Sequence, residues 1–405
     1  MDTSSAKNNA NMEKYLLQVM EKTGWSRKIA TQKMQSAKDT LGITFHDYAA
    51  YDLHKVAEDK LGAKYVAIIK KNAQERIEEE KKKAQSVAKI MAVTGWSYEF
   101  AESKILEAKK RTGVAYSEYF FYHFYELDNE TQEQIFLASH SKKIKQRYDV
   151  SKESISWTYD KGLTNEIYGK YLKRAWCINN KISKEEFVEK FKDCGRVIYK
   201  PIKGGGGRSV AAYMVTPQTA GDVFDELYVL PEGLVEEYIH QHAELNKLCS
   251  SSVNSIRVAT ISSSTRPVTP DGAHMDIAYA ALRIGGGSSV VDNFHSGGMV
   301  VAIDLETGTV VSDAANMNGE FFTAHPVTGT VFKGFKIPYF QEALDMVRDA
   351  LTSSNIEGYL GWDIAISETG PMLVEINHNP GAMLLTAPYI AEKRGMKHVM
   401  DKYLL

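Results

Sequence analysis

The sequence predicts an α+β protein with antiparallel sheets, preceded by an all-α region. Three observations carry this. The first 150 residues contain no proline and hold a duplicated segment of helical character. From about residue 151, short β-branched runs separated by Gly, Pro and Asp/Asn turns take over. Only two helical stretches, around 183–192 and 338–353, interrupt them, which favours antiparallel pairing over a doubly wound parallel sheet. Residues 1–150 and 151–405 are therefore expected to be separate domains.

The duplication is explicit. TGWSRKIATQKMQSAKDTLGITFHDYAAYDLHKV (residues 23–56) and TGWSYEFAESKILEAKKRTGVAYSEYFFYHFYEL (94–127) share 11 of 34 positions at an offset of 71. In each copy a serine, Ser26 or Ser97, stands where an N-cap is needed, and Ala and Lys then follow helical spacing until Gly42 or Gly113 ends the helix. Thr44 or Ser117 is the expected cap of a second helix, with Tyr48/Tyr51 and Tyr119/Tyr122 three apart on one face. Between the copies, EDKLGAKYVAIIKKNAQERIEEEKKKAQSVAKIM reads as one long helix whose middle is a solvated charge run. Core packing is the expected role of the tyrosines and of Trp25 and Trp96. The repeat contains no catalytic constellation.

Composition narrows the function classes. Of 405 residues 43% are apolar and 25% charged, as in soluble globular chains, and the net charge of −2 argues against a general nucleic-acid binder. Cys177, Cys194 and Cys249 are odd in number and have no CxxC partner, so neither a disulfide framework nor a zinc site is expected. MDTSSAKNNANMEK is polar, and no stretch approaches the roughly 18 apolar residues of a membrane span. A cytoplasmic protein is expected.

The strand candidates are RVIYKP, GLVEEYI, SIRVATIS, DIAYAALRI, GMVVAID, LGWDIAI and PMLVEIN. Directly after the first comes KGGGGRSV, where Gly204, Gly205, Gly206 and Gly207 are followed by Arg208. Alone, such a run also reads as a flexible loop. It is not a Walker A loop, which needs Lys-Ser or Lys-Thr after its last glycine, nor a spaced dinucleotide fingerprint. GWDIAISETGPMLVEINHNPG (361–381) reads as a hairpin. Asp363 lies on its first strand; Glu375 and Asn377, two apart, share one face of the second. Two carboxylates and an amide are the oxygen ligands a hard cation such as Mg²⁺ prefers.

In their order along the chain, YDKG, YKP with its glycine run, LVEEYI, NSIRV, ALRI, DNFHSGG, GWDIA and EINHNPG resemble the ATP-grasp superfamily, most closely its sugar-transfer-associated and glutamate-ligase-like members. The resemblance covers most of the last 250 residues. It implies a nucleotide-clasping subdomain at about 195–245 and a metal and acceptor subdomain at 246–405, with ATP and Mg²⁺ as cofactors. By that resemblance Lys161 and Lys200 contact phosphates, Gly204–Gly207 fold over them, and Lys203 and Arg208 add charge. Bare glycine N–H groups approaching an anion make chemical sense of such a loop without the family. Glu236 and Glu237 would lie at the adenine-holding hinge and Glu244 at the ribose, although HQHAE departs from the usual glycine-containing spacing. Arg257, Arg283 and Asn293 would surround the reacting phosphate and the acceptor, with His295 a candidate base.

The activity implied is ATP-dependent amide formation between a small-molecule carboxylate and an amine through an acylphosphate. The alternatives are an ATP-grasp kinase and, in another class, a nucleotide-binding scaffold that recruits partners through its helical repeats. One departure stands out: a duplicated helical region replaces the small α/β domain with which most members begin. The helices are thus a candidate surface for a protein, carrier or glycan-assembly partner. Polysaccharide or cell-surface metabolite chemistry is implied by the family alone.

Overall fold

The computed structural model describes residues 3–148, 158–202, 210–287, 297–354 and 356–404. The chain divides into two compact units, Met1–Gln85 and Ser86–Leu405.

The first unit contains helices α1 (Thr3–Thr23), α2 (Arg27–Leu41), α3 (Phe45–Ala50) and the first part of α4 (Glu58–Thr94). Ser26 caps α2 by accepting from the Ile29 N–H, and Gly42 ends it at φ 68, a left-handed turn that costs glycine nothing. Thr44 caps α3 through the Asp47 N–H at 3.0 Å. The core is Leu16, Val19, Ala30, Met34, Ile43, Tyr48 and Leu53, closed by Leu61 and part-buried Tyr65 of α4. Tyr65 donates to Asp47 at 2.8 Å, and Asn72 donates to the Tyr51 hydroxyl at 2.9 Å.

In the second unit the last turns of α4, α5 (Tyr98–Thr112) and α6 (Tyr116–Phe121) repeat this plan, with Ser97 capping α5 and Gly113 ending it at φ 79. The expected cap of α6 is corrected. Its N-cap position is Ala115, the counterpart of Thr44, and Ser117 lies inside the helix. Ala115 has no oxygen to offer, so Glu118 reaches back to the Ala115 N–H at 3.0 Å and also accepts from the Ala138 N–H at 2.8 Å. The latter bond ties the repeat to α8 (Ala138–Arg147), which follows α7 (Asn129–Glu133).

Two antiparallel sheets follow. The smaller has strand order β1 (Trp176–Ile178), β4 (Gly233–Glu237), β2 (Gly195–Pro201), β3 (Ala211–Val215). The larger contains β5 (Ser255–Ser262), β6 (Met275–Ile284), β7 (Met299–Ile303), β8 (Ala314–Asn316), β9 (Phe321–Phe322), β10 (Gly358–Ser367) and β11 (Gly370–Asn377), in the order β11-β10-β5-β6-β7-β8-β9. Strand alternation gives this sheet two faces. Ile256, Val258, Leu282, Leu360, Trp362 and Ile364 pack with helix Phe340–Ser354. On the other face Ala259, Ile261, Tyr279, Ala281 and Tyr359 share a core with Ile105, Val114, Tyr119 and Phe121 of the second repeat. Arg257 and Asp363 lie further along that same face. The second repeat thus shares the hydrophobic core laid against the face that carries the polar cluster described next, a placement no periodicity reveals.

The three cysteines are free. Among the described residues, no helix is long and apolar enough to cross a membrane.

Candidate functional site

Register brings the hairpin residues together as alternation predicts. Asp363 on β10 lies opposite Glu375 on β11 and opposite Arg257 on β5, while Asn377 lies opposite Gly361, so all share one face. Arg257 pairs with both carboxylate oxygens of Asp363, through Nε and through Nη2 at 3.1 Å, and its Nη1 donates to the Pro380 carbonyl at 2.8 Å. Arg283 on β6 reaches Asp363 at 3.0 Å and donates to Ser255 at 2.5 Å. Asn377 Nδ2 donates to Asp363 at 3.2 Å, which turns its Oδ1 away from that carboxylate. Gly361 makes this possible: a Cβ there would lie 2.9 Å from Arg257 Cδ and 3.0 Å from Pro380 Cα. Burial opposes ionisation of Asp363, but the charges of Arg257 and Arg283 outweigh it and hold the carboxyl below its usual range.

Glu375 differs. It is part-buried and has no hydrogen-bond or ion-pair partner among the described residues. Burial pushes its carboxyl up, the Asp363 charge adds to that, and Lys200, Lys161 and Arg257 pull the other way. Lys161 and Lys200 are thus near enough for their charges to act on Glu375. Burial likewise lowers Lys161, offset by Glu375. Its ammonium donates to the carbonyls of Pro201 and Ile202 at 3.2 Å each, at the root of the glycine run.

Lys200 on β2 pairs with Glu236 on β4 at 2.6 Å. Glu236 is fully buried, and its other oxygen accepts from Arg174 and, at 3.2 Å, from Asn165. Burial alone would raise this carboxyl, but Arg174 and Lys200 hold it at about 2. Glu237 accepts from the Ala175 N–H at 3.1 Å. Both carboxylates of LVEEYI, expected at a base-binding hinge, make these contacts within the protein. Glu244 pairs with Lys247 at 2.7 Å, with no contact to these clusters among the described residues. Gly204–Gly207, Lys203, Arg208, Asn293 and His295 lie outside the described residues.

Two groups in the cleft are not singled out by the sequence. Arg174 precedes the short run WCI, and Asn165 sits mid-helix in Lys161–Ile167; neither belongs to a motif. His378, next to Asn377, accepts or donates at 2.8 Å with the Tyr159 hydroxyl.

The donor set fits a hard cation in kind. Among the described residues no group of three His, Cys, Asp or Glu side chains forms a metal cage. Two carboxylates and an amide oxygen are present instead, and Glu375 has no partner among the described residues. Such a partial oxygen set suits an ion that keeps waters and phosphate oxygens as its other ligands.

A family model described as sugar-transfer associated ATP-grasp matches residues 159–403. A search of curated proteins finds no match. Among solved structures, the D-alanine–D-alanine ligase from Coxiella burnetii is similar at 12% identity and a TM-score of 0.36, over 62% of this chain and 57% of that one. D-alanyl-alanine synthetase A from Vibrio cholerae is similar at 10% identity and 0.37, over 62% and 65%. An ADP complex of N5-carboxyaminoimidazole ribonucleotide synthetase is similar at 11% and 0.34, over 56% and 46%. This chain spans about half to two thirds of the length of these structures. Likeness at this level says nothing of what the chain binds.

Proposed function

Because the chain belongs to the sugar-transfer associated ATP-grasp family, we propose that it is an ATP-dependent carboxylate–amine ligase whose cleft holds a magnesium triphosphate. The observation that carries this is charge. Lys161, Arg174, Lys200, Arg257 and Arg283 are gathered with Asp160, Glu236, Asp363 and Glu375, five cations against four carboxylates among the described residues. Mg·ATP carries a charge of about −2 at neutral pH, so the cleft and ligand are complementary.

A carboxylate is a poor electrophile, and phosphorylation cures this. A substrate carboxylate oxygen attacks the γ-phosphorus, the bond to the β-phosphate oxygen breaks, and ADP leaves. The amine nitrogen then attacks the acyl carbon, the acyl C–O bond breaks, phosphate departs, and the amine proton passes to a base. Lys161 and Lys200 are suited to hold the phosphates, and Arg257 and Arg283 to offset charge gathering on the transferred group. Glu375, Asn377 Oδ1 and Asp363 would hold a magnesium ion, which when bound neutralises phosphate oxygens. Asp363 already accepts from two arginines, so its share in that coordination is smaller than that of Glu375.

Phosphate release from ATP, screened over amino acids and sugar acids with product mass spectrometry, tests the reading. A ligase releases phosphate only when carboxylate and amine are both present. A phosphorylated acceptor with no release would make the protein a kinase.

A further inference from the structure

Arg174 lies in the loop between helix Gly169–Leu172 and β1, and its guanidinium is buried between the two sheets. Nη2 pairs with Glu236 on β4 of the smaller sheet. Nη1 donates to the Leu373 carbonyl on β11 of the larger sheet at 2.5 Å and to the Leu172 carbonyl at 3.2 Å. Leu373 sits where β11 shifts register against β10: Asp363 faces Glu375, Ile364 faces Leu373, and Val374 is the extra residue. One side chain thus joins the carboxylate that grips Lys200 to the bulge that presents Glu375. Its Nε–H is buried with no partner among the described residues. Local satisfaction therefore does not explain the guanidinium's position, and its two anchored ends do.

We propose that Arg174 is a positioning residue that fixes the separation of Lys200 and Glu375, and hence the span across which the cleft grips the triphosphate. This rests on the nucleotide reading above. A guanidinium can serve two acceptors on different strands at once, which a single ammonium on a lysine stem does poorly. Losing either link leaves each sheet intact but lets one move against the other. A 1 Å error in such a span is costly to phosphate-binding groups that act together.

The test is calorimetric titration with Mg·AMP-PNP of the full chain and of R174K, R174M, K200M and R174M/K200M, with melting temperatures recorded in parallel. R174K, which keeps the buried positive charge, should melt near the wild type yet bind about tenfold more weakly, with R174M weaker still. On the K200M background, R174M should cost less than about twofold more, because Arg174 acts through Lys200. Wild-type affinity in R174K, or losses that multiply in the double variant, would overturn the proposal, even should R174M fail to fold. A wild-type protein that ignores Mg·AMP-PNP would instead remove the nucleotide reading itself.

Discussion

Glu236 on the smaller sheet and Glu375 on the larger are glutamates that feel the same lysine, yet their surroundings drive them in opposite directions. Glu236 is ringed by Arg174, Lys200 and Asn165, and its carboxyl is held at about 2 despite burial. Glu375 has Asp363 directly across the strand pair and no donor among the described residues, and burial pushes its carboxyl up. A carboxylate saturated by protein cations is spent on architecture. One left short of positive charge is suited to a cation that arrives from outside. Under the proposed reading, the same residue type is thus a structural anchor in one case and a candidate metal ligand in the other.

Breaking the contrast at Glu375 has the largest expected effect. Glu375→Gln should lower ATP-dependent ADP formation by about 100- to 1000-fold while melting at or above the wild-type temperature, since it removes an uncompensated charge. Unchanged turnover in a folded variant would end the metal assignment. Breaking it at Glu236 should act first on stability. The depression from 4.5 to about 2 corresponds to about 3 kcal/mol, fully present above the unfolded-state value near 4.5 and lost as pH falls toward 2. Glu236→Gln should therefore melt well below the wild type at pH 7, with the gap closing between about pH 4.5 and 2. A gap that persists at low pH would show that the ion pairs are not its source. The smallest effect on turnover is a sharpening: Gly361→Ala should push Arg257 off Asp363, raise KM for ATP by about tenfold and lower the melting temperature, because a buried carboxylate loses a partner. Kinetics like those of the wild type would show that the arginine needs no such clearance.

Legibility followed range of interaction. The capping serines, the glycine stops and the long α4 are local devices, written in a few adjacent residues. The hairpin was legible too, because alternation and a polar turn fix which residues meet, and Asp363 does face Glu375. The short strands β1, β3, β8 and β9, of two to five residues, are too brief to carry a period. Ser117 reads as a cap but lies inside the helix, whose N-cap is Ala115, with Glu118 accepting from the Ala115 N–H. Glu236 was placed near a base by its motif, yet its role depends on Arg174, 62 residues earlier. Arg174 itself lies in no pattern, because one guanidinium joining two sheets leaves no trace in neighbouring residues. The core that the second repeat shares with the larger sheet is likewise a tertiary fact, built from side chains that read only as ordinary helical core.

The claim on which the account turns is that Lys200 and Glu375 grip one triphosphate with its magnesium. The direct measurement is ATP affinity with and without Mg²⁺ in the wild type and in Glu375→Gln. Magnesium should tighten binding markedly in the wild type and leave the variant unchanged. Equal tightening in both would contradict it.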